Sequence, residues 1–203
     1  MATTGVIAVQ GAVSEHVSAF QLALSNLGKK GEVIWVKTPA QLAQCDCIAI
    51  PGGESTAISR LLQKASLFEE VKKRASAGMP TLATCAGFVL VAKKGDGQVA
   101  QTKQKLLGLA DFQVERNAFG RQKDSFESPV RLSFSQTPFN GVFIRAPAAS
   151  KVWGAAKPIA RVVWEGKEKI VGVQQGRILA FAFHPELSGS TLVHEYFLRE
   201  FVF

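Results

Sequence analysis

Short apolar runs, each closed by Gly, Pro or Ser and followed by a stretch with helical spacing, recur through the first half of the chain. Such runs are the mark of buried strands, and their alternation with amphipathic helices is the rhythm of βαβ units. Gly5 to Val9 predicts the first strand and Gln10 to Ala12 a loop. Ser14 to Leu27 predicts a helix with Val17, Phe20, Leu24 and Leu27 on one face, stopped by Gly28. Val33 to Val36 is the next strand, and Thr38-Pro39 starts a short helix with a capping hydroxyl and Pro at its first position. Cys47 to Ile50 is a third strand, running through Pro51-Gly52-Gly53-Glu54-Ser55-Thr56 into a helix that carries Ile58, Leu61 and Leu62. A helix over Leu67 to Ala77, a strand over Thr81 to Thr84 and a helix over 86 to 93 complete this half.

The rhythm then changes. Lys93 to Lys105 is polar and carries glycines, which predicts an exposed, mobile loop. Beyond it the pattern is β-rich, with strands expected at Phe112 to Glu115, Val130 to Phe134, Val142 to Arg145, Ile159 to Trp164, Ile170 to Gln174 and Ile178 to Phe183. One amphipathic helix from Ser190 to about Phe201 closes the chain. Parallel strands first and antiparallel strands later fit one α/β domain spanning residues 1–203.

With 203 residues, 47% of them hydrophobic and 20% charged, the chain can bury a sizeable core, which excludes disorder and a disulfide scaffold. The net charge of +8 raises an anionic partner as a question, but the basic residues fall in short separated clusters without interleaved aromatics, against nucleic-acid binding. Three cysteines cannot all pair, so a reducing, cytoplasmic setting is expected. No stretch has the length and apolarity of a membrane span or the form of a signal peptide.

Candidate chemistry sits where strands should end. Thr84-Cys85-Ala86-Gly87 lies at an abrupt strand-to-helix turn, the geometry of a nucleophile elbow, where a helix N-terminus favours thiolate over thiol. A small buried core cysteine is the alternative. His184-Pro185-Glu186 follows a strand, and residues two apart on extended backbone project to the same side, so Glu186 can orient His184 as a base for Cys85. Gly52 and Gly53 offer backbone amides that can serve as oxyanion donors or simply permit a tight turn. Of the other histidines, His194 reads as helix surface and His16 as a position on the site's rim or a partner contact. Neither phosphate-binding glycine motif is present, and Cys45-x-Cys47 lacks the second ligand pair of a metal site.

The combination resembles the class I, triad-type glutamine amidotransferases, and more narrowly the glutaminase subunits of pyridoxal 5′-phosphate synthase. Gln10-Gly11-Ala12-Val13 with Glu15-His16, PGGEST at 51–56, TCAG at 84–87, ERNAFGRQ at 115–122, DSFE at 124–127, FIRAP at 143–147 and FHPEL at 183–187 carry the resemblance. It implies a flavodoxin-like three-layer fold with a mixed, mostly parallel central sheet and an additional antiparallel β portion. It further implies Cys85 as nucleophile, His184 as base and Glu186 as its orienting partner, with Gly53 and Ala86 as oxyanion donors. L-glutamine would be held by Gly52, Gly53, Glu54, Arg116, Ile144 and Arg145. No cofactor and no metal are implied. The implied partner is a (β/α)₈ synthase subunit in a hetero-oligomeric complex, whose docking completes the oxyanion turn.

Glu15, His16, Asn117 and Arg121 are rim positions for partner or substrate. Two departures from the family pattern stand out: Ala83 where the elbow usually has Gly, and the long basic segment Lys93 to Lys105, read as an insertion or a partner contact. Two other functions remain open on the sequence: a glutaminase serving a different ammonia-using synthase, and a non-catalytic flavodoxin-like redox or chaperone protein with an elbow cysteine.

Overall fold

A computed structural model of the chain describes residues 1–120 and 125–203. Its first half alternates as expected: β1 (Ala2–Ile7), α1 (Val13–Asn26), β2 (Gly31–Val36), α2 (Pro39–Leu42), β3 (Cys47–Ile50), α3 (Ser55–Lys64), α4 (Phe68–Ser76), β4 (Thr81–Thr84) and α5 (Ala86–Val91). Then come β5 (Ala92–Lys94), α6 (Gly97–Gln101), β6 (Ala110–Glu115), β7 (Ser125–Leu132), β8 (Phe139–Ile144), β9 (Ala148–Val152), β10 (Lys157–Trp164), β11 (Lys167–Gln175) and β12 (Ile178–Phe181). A 3₁₀ turn (Pro185–Leu187) and α7 (Leu192–Phe201) end the chain.

Strands β2-β1-β3-β4-β12 lie side by side and run parallel. Across β12 the sheet continues as β11-β10-β7-β8, every pairing antiparallel. β3 and β4 are buried at every residue, as parallel strands covered on both faces must be. The chain moves outward from β1 to β2 but in the opposite sense from β3 to β4, so right-handed crossovers place α1 and α3 on opposite faces of the sheet. The carboxyl ends of β1 and β3 therefore flank a topological switch point, where open α/β sheets bind their ligands.

Local chemistry explains several boundaries. Thr38 caps α2 in a reciprocal capping box with Gln41, and Pro39 takes the first helical position. Glu54 caps α3, its carboxylate accepting from the N–H groups of Thr56 at 3.3 Å and Ala57 at 2.7 Å. β9 escapes the hydrophobic pattern because Ala148-Ala149-Ser150-Lys151-Val152 does not alternate clearly; backbone pairing with β6 and β11 defines it.

The segment Lys93 to Lys105 differs most from expectation. It is not an irregular exposed loop but contains part of β5 and all of α6. Asp96 caps α6 by accepting from Gln98 and Val99 N–H, both at 3.0 Å, while its second oxygen accepts from the Arg116 N–H at 2.8 Å. Gln104 is buried and accepts from the Ser55 and Thr56 hydroxyls of α3 at 3.1 and 3.3 Å. The polar letters that suggest a solvated loop are instead the joints of a strap between α3 and the Arg116 segment. No helix among the described residues is long and apolar enough to cross a membrane.

Candidate active site

Cys85 follows β4 directly and adopts φ 48°, a left-handed conformation that costs a non-glycine residue energy. The strain is held from both sides. Its N–H donates to the Phe181 carbonyl of β12 at 2.8 Å, and its carbonyl accepts from Val89 in α5 at 3.2 Å. Gly87 lets α5 press this close, since a Cβ there would collide with the Ile50 carbonyl oxygen and approach Ala83 Cβ at 3.3 Å. The methyl group of Ala83 is thus accommodated by the missing side chain at Gly87.

His184 enters three residues beyond β12, its N–H donating to the Val142 carbonyl of β8 at 2.8 Å. Its Nδ1 donates to Glu186 Oε1 at 2.6 Å, a short charge-assisted bond to a carboxylate with no exposed side-chain surface. The backbone between them is not extended: Glu186 sits in the 3₁₀ turn, which, rather than strand alternation, brings its carboxylate to the imidazole. Burial opposes charge on His184, but the hydrogen bonds and charges of Cys85 and Glu186 outweigh it and push the imidazole up to about 10. Gly52 packs against both groups. A Cβ there would collide with the His184 ring and come within 3.1 Å of Cys85 Cβ.

In front of Cys85 opens a cavity of about 430 Å³, lined among others by Gly52, Gly53, Glu54, Ala86, Arg116, Ile144, Arg145 and His184. Every residue expected to bind glutamine or the oxyanion, and the Cys85–His184 pair, borders this one space. Glu54 and Arg116 form an ion pair at 3.4 Å. Arg145 has φ 42°, and Cys85 Sγ lies 3.9 Å from the Ile144 carbonyl. Gln10, to which the sequence assigned no role, accepts from the Glu54 N–H at 3.0 Å, and the Ala12 N–H donates to the Gly52 carbonyl at 3.0 Å. The loop after β1 thus sets the conformation of the glycine turn.

Behind Glu186 lies a fully buried cluster. His16 Nε2 is 3.3 Å from Glu186 Oε2 and 2.9 Å from Thr84 Oγ1, and His16 Nδ1 is 3.1 Å from His194 Nε2. Both histidines have zero exposure, which corrects the expectation of a rim position for His16 and a surface position for His194. The signal was in the sequence. His16 stands three and four residues from Val13 and Phe20, and His194 three and four from Phe197 and Leu198, each on the buried stripe of its helix. Glu15 and Asn117 are exposed and border the cavity in front, Asn117 donating to Gln98 of α6 at 3.0 Å. Arg121, and the motif positions at 122 and 124, lie outside the described residues.

No group of three or more His, Cys, Asp or Glu that could hold a metal ion occurs among the described residues. A buried sulfur on a strained turn, an imidazole bonded to a buried carboxylate, and a cavity offering both charge signs are the groups that a nucleophile, a base and its orienter acting on a small zwitterion require.

The chain is 53% identical over 201 residues to the pyridoxal 5′-phosphate synthase subunit PdxT of Thermococcus onnurineus, covering 98% of this chain and 99% of that one. It is 49% identical to the PdxT subunit of Pyrococcus furiosus over the full length of both. A solved structure described as a glutamine amidotransferase superposes with a TM-score of 0.83 at 38% identity, covering 97% of each chain. The model of the SNO glutamine amidotransferase family matches residues 6–203, and the chain belongs to that family.

Proposed function

We propose that this chain is the glutaminase subunit of a pyridoxal 5′-phosphate synthase, hydrolysing L-glutamine to L-glutamate and ammonia and passing the ammonia to a synthase subunit. The observation that carries this reading is the shared cavity: Cys85 and His184 face the same space as the Glu54–Arg116 pair and Arg145. The near-full-length likeness to PdxT subunits supports the choice of synthase.

The zwitterionic end of glutamine calls for a cation and an acceptor, and a guanidinium matches a carboxylate in fork geometry. Arg116 and Arg145 take the α-carboxylate and Glu54 the α-ammonium, while Ile144 and the Gly52–Gly53 turn wall the side chain. The Cys85 thiolate attacks the carboxamide carbon. The oxyanion is met by the N–H groups of Gly53 and Ala86. A trans peptide sets its N–H opposite its carbonyl, so the Gly52 carbonyl, drawn to the Ala12 N–H, leaves the Gly53 N–H turned away from Ala12. His184, held protonated beside Glu186, gives its proton to the departing nitrogen and ammonia leaves a glutamyl thioester. His184 then takes a proton from water, which attacks the thioester and releases glutamate with the thiolate restored.

Ammonia released to open water would be protonated, so the product calls for direct delivery to a synthase subunit, here of the (β/α)₈ type. A cytoplasmic setting accompanies this reading, supported by three unpaired thiols. Glutamate release should rise when the purified chain is mixed with that subunit. Cys85→Ala should lower the rate in the mixture by at least about 10³-fold. Unaltered hydrolysis by Cys85→Ala would overturn the triad, and no response to the synthase subunit would overturn the partner.

A further inference from the structure

We infer that His16 is a positioning residue for the triad: its Nε2–H restrains Glu186, the carboxylate that orients His184, and His194 fixes the tautomer in which it does so. The inference rests on the glutaminase reading of Cys85, His184 and Glu186, and extends it to two histidines from the first and last helices.

Glu186 has no exposed side-chain surface, so each of its oxygens needs a protein partner. Oε1 is taken by His184 at 2.6 Å. Oε2 faces His16 Nε2 at 3.3 Å, off the ideal hydrogen-bond line, and has no hydrogen-bond partner among the described residues. What His16 presents to that oxygen is therefore decisive. A neutral imidazole carries one N–H, and two arrangements of the cluster are conceivable.

If the proton sat on His16 Nδ1, it would point at His194 Nε2, forcing the His194 proton onto Nδ1. Nδ1 of His194 has no hydrogen-bond partner among the described residues, so that arrangement buries an orphan donor. It would also set the His16 Nε2 lone pair, met only by the Thr84 hydroxyl at 2.9 Å, beside a carboxylate 3.3 Å away. Both penalties vanish in the other tautomer. His194 Nε2–H donates to His16 Nδ1 at 3.1 Å, and His16 Nε2–H donates to Thr84 Oγ1 at 2.9 Å with its positive end 3.3 Å from Glu186 Oε2. What remains is the His194 Nδ1 lone pair and the Thr84 hydroxyl proton, and an N–H dipole in place of a lone pair now faces the charged Glu186 Oε2.

The surroundings keep the cluster neutral and rigid. Burial depresses His16 despite the attraction of Glu186, and burial, reinforced by His16, drives His194 down to about 3. Neutral at pH 7, His16 acts on Glu186 as an N–H dipole and not as a competing cation. Phe20 packs edge-on against His194, with centroids 4.8 Å apart, which restricts the rings. During turnover His184 gains and loses a proton, and a carboxylate bonded on one side alone could rotate with it. Contact with His16 on the other side limits that rotation, and Thr84 ties the same imidazole to the strand that presents Cys85.

The test uses the chain reconstituted with its synthase subunit. Nitrogen-15 spectra of the histidines should show His16 as the neutral Nε2–H tautomer, a readout that does not depend on glutamine turnover. His16→Leu should lower kcat about 10- to 100-fold with KM within about twofold, and His16→Gln, which restores a donor, should recover most of the loss. If His16→Leu fails to fold, His194→Phe is measured instead and should lower kcat in the same direction by a smaller factor. A His16 that is cationic or protonated on Nδ1 overturns the inference, as does wild-type kcat in the measured variant. Cys85→Ala separates the two readings. If it is inactive while the His16 variants match wild type, only the positioning role fails; if it is active, the triad itself fails.

Discussion

Cys45, near the amino edge of the parallel strands, and Cys85, at their carboxyl edge, are equally hidden, each 7% exposed. Their chemistry nonetheless diverges. At the amino edge, burial pushes the Cys45 thiol up to about 11 and that of its neighbour Cys47 to about 12, and among the described residues no imidazole or guanidinium stands in hydrogen bond with either sulfur. At the carboxyl edge, Cys85 sits on a left-handed turn beside an imidazole already bonded to a carboxylate. Seclusion from water is common to both edges, so it cannot be what makes a nucleophile. Cavity size does not mark the site either. A depression of about 790 Å³ at the amino edge, lined by Met1, Lys30, Asp46 and Arg177 among others, exceeds the 430 Å³ in front of Cys85 yet has no nucleophile–base pair. What separates the edges is the convergence of strand ends at the switch point, which brings side chains from distant segments onto one sulfur.

The strongest way to break this contrast is to remove the group that organises the imidazole. Glu186→Gln keeps the shape but takes away the charge, and kcat/KM should fall by about 10²- to 10⁴-fold. The pH profile should move with a defined sign. An adjacent carboxylate favours the protonated imidazole, which contributes to holding His184 up to about 10. Activity that needs that proton disappears as pH rises through the His184 value. Without the carboxylate the value falls, so the alkaline limb should shift to lower pH. Rates of glutamate release between pH 6 and 10 check this, and an unmoved limb would show that Glu186 does not govern the imidazole.

A second measurement compares the edges directly. Iodoacetamide reacts with thiolates, and thiols held up to about 11 and about 12 are almost wholly protonated at pH 7. Peptide mapping after brief exposure should find Cys85 carboxamidomethylated at least about 100-fold faster than Cys45 or Cys47. Equal labelling of all three would erase the distinction between the edges.

How much of this the sequence discloses follows the same division. The fully buried strands β3 and β4 were readable residue for residue, because parallel strands covered on both faces are continuous apolar runs. The placement of Cys85 and His184 on one cavity was readable too, because each follows such a run closely. The means by which Glu186 reaches His184 was not: the spacing suggested strand alternation, and a 3₁₀ turn does the work. The strap from Lys93 to Lys105 was missed for a related reason. Asp96 and Gln104 are polar in order to bond Arg116 and α3, not water, and composition alone does not separate those two uses. His16 and His194 were misplaced although helical spacing puts both on buried stripes, since an imidazole on an apolar face is legible as buried only once the face is taken as a whole.

The smallest expected effect lies at the amino edge, and its modesty is what makes it informative. Cys47 is fully buried, and its thiol donates to Thr4 Oγ1 of β1 at 3.3 Å. Cys47→Ala removes the sulfur, leaves a small void and orphans part of the Thr4 hydroxyl, a loss of about 1–2 kcal/mol of stability. For a chain of this length that should lower the melting temperature by about 2–8 °C. The strand it begins ends at Ile50, next to the glycine turn, so a disturbance transmitted along β3 would reach Gly52 and Gly53. β3 is held on both sides by the register of β1 and β4, which confines the change to the amino end. Glutaminase kcat/KM, measured well below the new melting temperature, should therefore stay within about twofold of wild type, as expected for a change remote from the reacting groups. A larger loss of activity would mean that the two edges are mechanically coupled through β3, and the chemistry would then depend on the amino edge as well.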